Sequence, residues 1–177
     1  MKNRILMLAL LFLFCSCSKN NYNLTNNYDW TNKTDSLYKY NEKKVSITDG
    51  VWGTLVQKEG NWMPIAVPDG EDFPSRDDQK IFPVQRNIAI YEYTTMDEMN
   101  GYPPLYDTIH TKLITTTTCD KEGFFEVELK SGKYSVFVKE KGKLYANGVD
   151  GQGGISPVTI ESSKVSEMNL TLDYAVY

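Results

Sequence analysis

One histidine serves the whole chain, and that bounds the chemistry available to it. A catalytic zinc needs several imidazole or carboxylate ligands and a general base, which His110 cannot supply alone. A serine or cysteine nucleophile would need that same imidazole as its base. Cys119 follows nine residues later. If His110 opens the strand that Cys119 closes, a rise of about 3.3 Å per residue separates them by about 30 Å. The expectation is a surface histidine at a strand end and a half-buried thiol, with no catalytic partnership. Glu126 and Glu128 share one strand face. Two carboxylates of that kind could do glycosidase chemistry, but adjacent same-face glutamates read first as a solvated face.

Oxygen clusters are the better candidates for binding. Asp69, Glu71, Asp72, Asp77 and Asp78 crowd one loop, and Asn147, Asp150 and Gln152 sit in NGVDGQGG. Calcium takes six to eight oxygen ligands from flexible loops, so either segment could contribute, although neither has EF-hand spacing. The alternatives are a solvated acidic loop and a turn rich in positive-φ residues. Trp52 and Trp62, with Tyr91, Tyr93, Tyr102, Tyr106 and Tyr145, would offer flat faces for sugar rings if several surfaced together. Otherwise they pack in a core. No metal or catalytic residue is assigned, and calcium is the one cofactor the residues leave open.

Chemistry of a different kind is written at the start of the chain. Lys2 and Arg4 precede an apolar run over residues 5–14, the order of a secretory signal. The run is too short to span, since crossing ~30 Å of hydrocarbon takes roughly 20 apolar residues. Cys15 follows the bulky Phe14, whereas Cys17 follows the small Ser16. Cys17 is therefore the expected mature N-terminus. The stretch LFCSC resembles a bacterial lipobox, with Phe14 where leucine is more usual. That resemblance implies a signal peptide over residues 1–16 and a diacylglycerol thioether plus an amide-linked acyl chain on Cys17. Each buried CH₂ would contribute about 0.8 kcal/mol, so three chains make a lasting membrane anchor. A plain secreted protein is the alternative. Three cysteines in all exclude a disulfide scaffold.

Residues 17–48 are rich in asparagine, without apolar periodicity, and read as a polar tether with a span of about 30 Å. Tyr22, Tyr28, Trp30, Tyr38 and Tyr40 are unexpectedly aromatic for a spacer. Residues 35–37 and 107–109 resemble short Asp-Ser/Thr-apolar O-glycosylation sites of some Gram-negative bacteria. Lys19, Asn20 and Asn21 lack the acidic character of a surface-export signal, which leaves the facing of an outer-membrane protein open. Without Lys2 and Arg4 the chain has 17 basic against 23 acidic residues, a poor match to nucleic acid.

Residues 49–177 make one domain of ordinary size. They read as short runs of period two between turn residues. Phe125, Val127 and Leu129 alternate with Phe124, Glu126 and Glu128, and Tyr134, Val136 and Val138 alternate with Ser135, Phe137 and Lys139. Further strands are expected over residues 51–57, 87–93, 112–118, 143–146, 157–160 and 165–173, the last with Met168, Leu170 and Leu172 inward. No strong amphipathic helix is evident. About seven short strands without helices between them call for an all-β, antiparallel two-sheet sandwich. Gly123 in DKEG, and Gly132 after Ser131, are placed to take positive φ in tight hairpins.

GVWGTLV at residue 50, GNWMP at 60, TCDKEGFF at 118 and GKYSV at 132 together resemble the carboxypeptidase regulatory-like domain. The resemblance covers most of residues 50–177. It implies a prealbumin-like (transthyretin-like) sandwich acting as an accessory or binding module, and residues 67–85 are a long insert in that pattern. Three functions follow: a lipid-anchored envelope module for a protein partner, a glycan-binding lipoprotein with or without calcium, and a hydrolase. Clustered surface aromatics would favour glycan, whereas an apolar patch or open sheet edge would favour a protein partner. A deep pocket with convergent carboxylates would favour the hydrolase.

Overall fold

Burial alternates residue by residue in β6, β10 and β12, runs continuously through the centres of β1, β3 and β8, and the sheets these strands form meet through their apolar faces. The computed structural model describes residues 30–64, 66 and 76–177. Cys17, the apolar leader and residues 67–75 of the insert lie outside the described residues. The elements are α1 (Trp30–Glu42), β1 (Gly50–Glu59), β2 (Lys80–Pro83), β3 (Asn87–Glu92), β4 (Met99–Tyr102), β5 (Leu105–Ile109), β6 (Leu113–Thr118), β7 (Phe124–Glu128), β8 (Gly132–Glu140), β9 (Lys143–Tyr145), β10 (Pro157–Ile160), β11 (Val165–Glu167) and β12 (Leu170–Asp173).

Two sheets form an all-β sandwich. In the five-stranded sheet, β1 is flanked by β7 and β11 over its first half and by β2 and β12 over its second. The seven-stranded sheet runs β4-β5-β9-β8-β3-β6, with β10 beside β8. Val51, Leu55, Ile88, Ile90, Phe125, Val136, Val138, Ile160 and Leu172 are buried between the sheets. Each such side chain contributes about 1.5–3 kcal/mol through burial. A smaller cluster of Tyr106, Phe137, Ala146 and Ile155 covers the other face of β8, so that strand is buried on both sides.

The first sheet is mixed rather than purely antiparallel, because β1 pairs in parallel with β11 and β12. The single strand expected over residues 165–173 breaks at Met168 and Asn169. There the Met168 N–H donates to Trp52 O at 2.8 Å, and the Thr54 N–H donates to Asn169 Oδ1 at 2.8 Å. The asparagine side chain thus stands in for the missing backbone acceptor. Gly53 makes room for this crossing, since a Cβ there would lie 1.9 Å from Met168 O.

The turn at Gly123 is a corner between sheets rather than a hairpin. β6 pairs with β3 and β7 pairs with β1. Asp120 Oδ1 accepts from the N–H groups of Glu122 and Phe124, each at 2.9 Å. Gly123 adopts φ +73°, and a Cβ there would sit 2.2 Å from Leu55 O. Both conformation and close approach require glycine. Gly132 does not adopt positive φ, because β8 begins at that residue with extended backbone.

The main departure from the sequence reading is α1, which lies inside the segment expected to be a flexible tether. Thr34, Leu37, Tyr38 and Asn41 recur at helical spacing and are partly or fully buried, as is Lys33 beside them. Thr34 and Asn41 make that stripe half polar, which hides its period in the sequence. Asn41 is fully buried, and its Nδ2 donates to Thr54 Oγ1 at 2.9 Å and Glu122 O at 3.0 Å. The helix thereby roofs the outer face of β1. Beyond it, Lys44 pairs with Asp120 at 2.7 Å, and Ser46 donates to Glu126 through both N–H and Oγ, at 2.9 and 2.6 Å.

Candidate interaction surfaces

The residues with catalytic potential are dispersed and occupied. His110 is exposed between β5 and β6, with Nε2 3.1 Å from Asn100 Nδ2. Cys119 is buried, and loss of solvent there pushes its thiol pKa up to about 11, so little thiolate exists near neutrality. Burial alone would raise the Glu126 carboxyl, but hydrogen bonds from Ser46 and the Ile47 N–H outweigh it and hold the pKa below its ordinary value. Its partner in the expected pair, Glu128, is exposed at the end of β7. The tripeptide at 107–109 lies on β5, where Asp107 pairs with Lys143 at 2.8 Å, and the one at 35–37 lies within α1.

The described members of the oxygen clusters are engaged by the protein's own groups. Asp150 and Gln152 do come together, but around the ammonium of Lys133, at 2.8 and 3.2 Å. Asp150 also accepts from Tyr93 OH and from the N–H groups of Gln152 and Gly154. The Lys133 ammonium and these donors outweigh desolvation and hold the Asp150 carboxyl well below the usual carboxylate range. A cation is therefore already in place. Asn147 is turned away from this group and donates to Thr171 O at 3.4 Å. Asp78 accepts from the Asn61 N–H at 2.7 Å, beside the neighbouring Asp77. Asp69, Glu71 and Asp72 lie outside the described residues. Among the described residues no group of three or more His, Cys, Asp or Glu side chains is placed to hold a metal ion.

The two tryptophans expected to offer ring faces have opposite fates. Trp52 is buried on the β1 face under α1, its ring 6.5 Å from that of Phe124. Tyr106 and Tyr145 are buried too, the latter with its hydroxyl accepting from the Asp173 N–H at 2.8 Å. Tyr91 packs edge-on against Phe137, Tyr93 lies under Lys133, and Tyr102 stands exposed on the β4–β5 hairpin. They do not form one platform.

Trp62 does belong to a surface group, with residues that periodicity could not bring together. β1 runs on to Trp62, and the segment after β12 pairs beside it: Val176 N–H donates to Gly60 O, and Trp62 N–H to Val176 O. Lys58 Nζ lies 4.1 Å from the centre of the Trp62 ring and 4.7 Å from that of Tyr177, a cation held between two aromatic faces. Met63, Val176 and Tyr177 are 46, 59 and 64 % exposed. The result is an end surface of aromatic and aliphatic side chains with Lys58 at its centre and Asp173 at its margin, where Asp173 Oδ2 accepts from Tyr177 OH at 2.8 Å.

A second surface is the free side of β6, which among the described residues pairs only with β3. Its residues Leu113, Ile114, Thr116 and Thr118 are exposed. No described helix is long and apolar enough to cross a membrane. No family model, curated protein or solved structure matches the chain.

Proposed function

We propose that this chain is a lipid-anchored, non-catalytic accessory module of a bacterial cell envelope, and that its partner is a protein. The observation that carries the reading is the apolar end surface of Trp62, Met63, Val176 and Tyr177 around Lys58. Exposed aliphatic and aromatic side chains at the centre with charged groups at the margin are the composition of a protein contact. The resemblance to the carboxypeptidase regulatory-like domain supports it, because that family serves mainly as an accessory fold. Acylation of Cys17 would hold the module on the outer membrane. The chain between Cys17 and Trp30 reaches at most roughly 45 Å when fully extended, which keeps the surface close to the bilayer.

The test is crosslinking on intact cells with a tagged chain, compared with Cys17→Ala and with Met63→Ser/Tyr177→Ser. A defined protein captured by the native chain and lost from both variants supports the reading. Capture that is nonspecific, or that survives loss of the end surface, overturns it. Glycan binding is the second reading, favoured by the neighbouring rings of Trp62 and Tyr177. A saturable change in tryptophan fluorescence on titration with envelope glycans would establish it instead.

A further inference from the structure

Among the described residues, four lysine ammoniums lie against aromatic rings: Lys44 over Tyr40 and Phe124, Lys133 over Tyr93, Lys141 over Tyr174, and Lys58 over Trp62 and Tyr177. Two of them are completed by carboxylates of the chain itself. Lys44 pairs with Asp120 at 2.7 Å and lies 3.6 Å from Glu122, and Lys133 pairs with Asp150 at 2.8 Å. Lys141 is exposed in the turn after β8 and rests on a single ring. Lys58 differs from all three. It is partly buried, held between two rings, and among the described residues pairs with no carboxylate.

The acidic residues nearest to Lys58 are committed elsewhere. Asp173 stands opposite it in the register of β1 and β12, yet accepts from Tyr177 OH at 2.8 Å and from the Ala175 N–H at 3.1 Å. Glu59 accepts from Gln57 Nε2, and Asp78 from the Asn61 N–H. The Lys58 ammonium donates to Tyr177 OH, so Asp173 reaches it only through that hydroxyl. An ammonium carries three donors, and the other two are left for an acceptor outside the chain. The flanking rings already hold the side chain, so it has little rotamer freedom left to lose on binding.

We infer that the protein partner presents an Asp or Glu side chain to Lys58, flanked by apolar residues that cover Trp62, Met63 and Tyr177. The inference rests on the end surface being the protein contact and names the chemistry that contact requires. The partner's carboxylate takes at Lys58 the place that Asp120 takes at Lys44. Apolar cover over the rings excludes water from the pair and strengthens its attraction. Asp173 at the margin repels an acidic group placed there, which confines the partner's carboxylate to the centre. A second copy of this chain does not fit, because two-fold packing of the surface on itself would set Lys58 against Lys58.

The test uses the full chain in intact cells, with the photocrosslinking residue benzoylphenylalanine at position 63 and the captured segment identified by mass spectrometry. Expected is a crosslink into a segment where Asp or Glu adjoins apolar residues. Lys58→Gln should lower its yield at least about tenfold, whereas Lys58→Arg, which keeps the charge between the rings, should stay within about threefold. Lys58→Glu should lose capture and regain it when the partner's acidic residue is replaced by lysine, a recovery that a misfolded variant could not give. A captured segment without a carboxylate, or capture indifferent to Lys58→Gln but abolished by Tyr177→Ser, overturns the inference and leaves the protein contact standing. No defined crosslink, or capture that survives Tyr177→Ser, overturns the contact and the inference together.

Discussion

β1 and β6 are built from similar residues and end in opposite environments. β1 pairs with four strands and is buried from Gly50 to Val56, whereas β6 pairs with one strand and is exposed at four of its six positions. Both contain leucine, threonine and a β-branched aliphatic side chain, so residue type does not separate them. What separates them is what lies alongside and above. α1 roofs one face of β1 while the second sheet covers the other, and among the described residues β6 has neither a roof nor a second neighbour. A strand is a core element or a contact surface according to its neighbours.

The largest expected effect tests that contrast with one substitution in two places. Leu55→Ala removes a fully buried side chain from between the sheets and should cost about 2–5 kcal/mol. Leu113→Ala removes an exposed one from β6 and should stay within about 0.5 kcal/mol. Denaturant titration gives both values. A cost above about 1 kcal/mol at Leu113 would mean that β6 is covered within the single chain, and the comparison would fail.

A smaller effect probes the roof itself. Asn41→Ala leaves Thr54 Oγ1 and the Glu122 carbonyl without their donor, at a cost of about 1–3 kcal/mol. Asn41 Oδ1 has no partner even in the intact protein, which places the expected loss toward the lower end. Hydrogen exchange should quicken across Trp30–Glu42 while the amides β1 shares with β7 and β12 stay protected. Uniform protection in the variant would show that the helix is held by something other than this side chain.

The sandwich was legible because several of its segments alternate apolar and polar residues in sequence, and Phe125, Leu129, Val136, Val138, Leu170 and Leu172 are buried as that alternation requires. The roof was not, because the inward stripe of α1 replaces apolar residues with Thr34 and Asn41 and relies on hydrogen bonds instead. The same omission misplaced Trp52, whose exposure depended on an element the pattern could not show. Trp62 kept its place as a candidate, but its neighbours Tyr177 and Val176 come from the far end of the chain, a contact between β1 and the segment after β12 that no local pattern encodes. Asp150 and Gln152 looked like metal ligands because sequence spacing does not reveal that Lys133 reaches them from β8.

The smallest effect lies where the roof is fastened to the strand beside β1. Ser46 gives both its N–H and its hydroxyl to Glu126 on β7, and this lowers the carboxyl pKa despite the opposing push of burial. A folded value below the unfolded one, near 4.3, means that the stabilisation is fully present above that pH and is lost as the pH falls through the folded value. The segment between α1 and β1 should therefore be unchanged from pH 5 to 9 and loosen below about pH 4. Glu126 is only partly buried, and solvent screening keeps the contribution below about 1 kcal/mol. Carbon-13 titration of the Glu126 carboxyl reads the shift, and Ser46→Ala should return it most of the way toward its ordinary value while leaving the β6 edge unaltered. A carboxyl that titrates normally in the intact protein would mean that Asn41 and Lys44 hold the roof alone, and that the burial of β1 rests on two contacts rather than three.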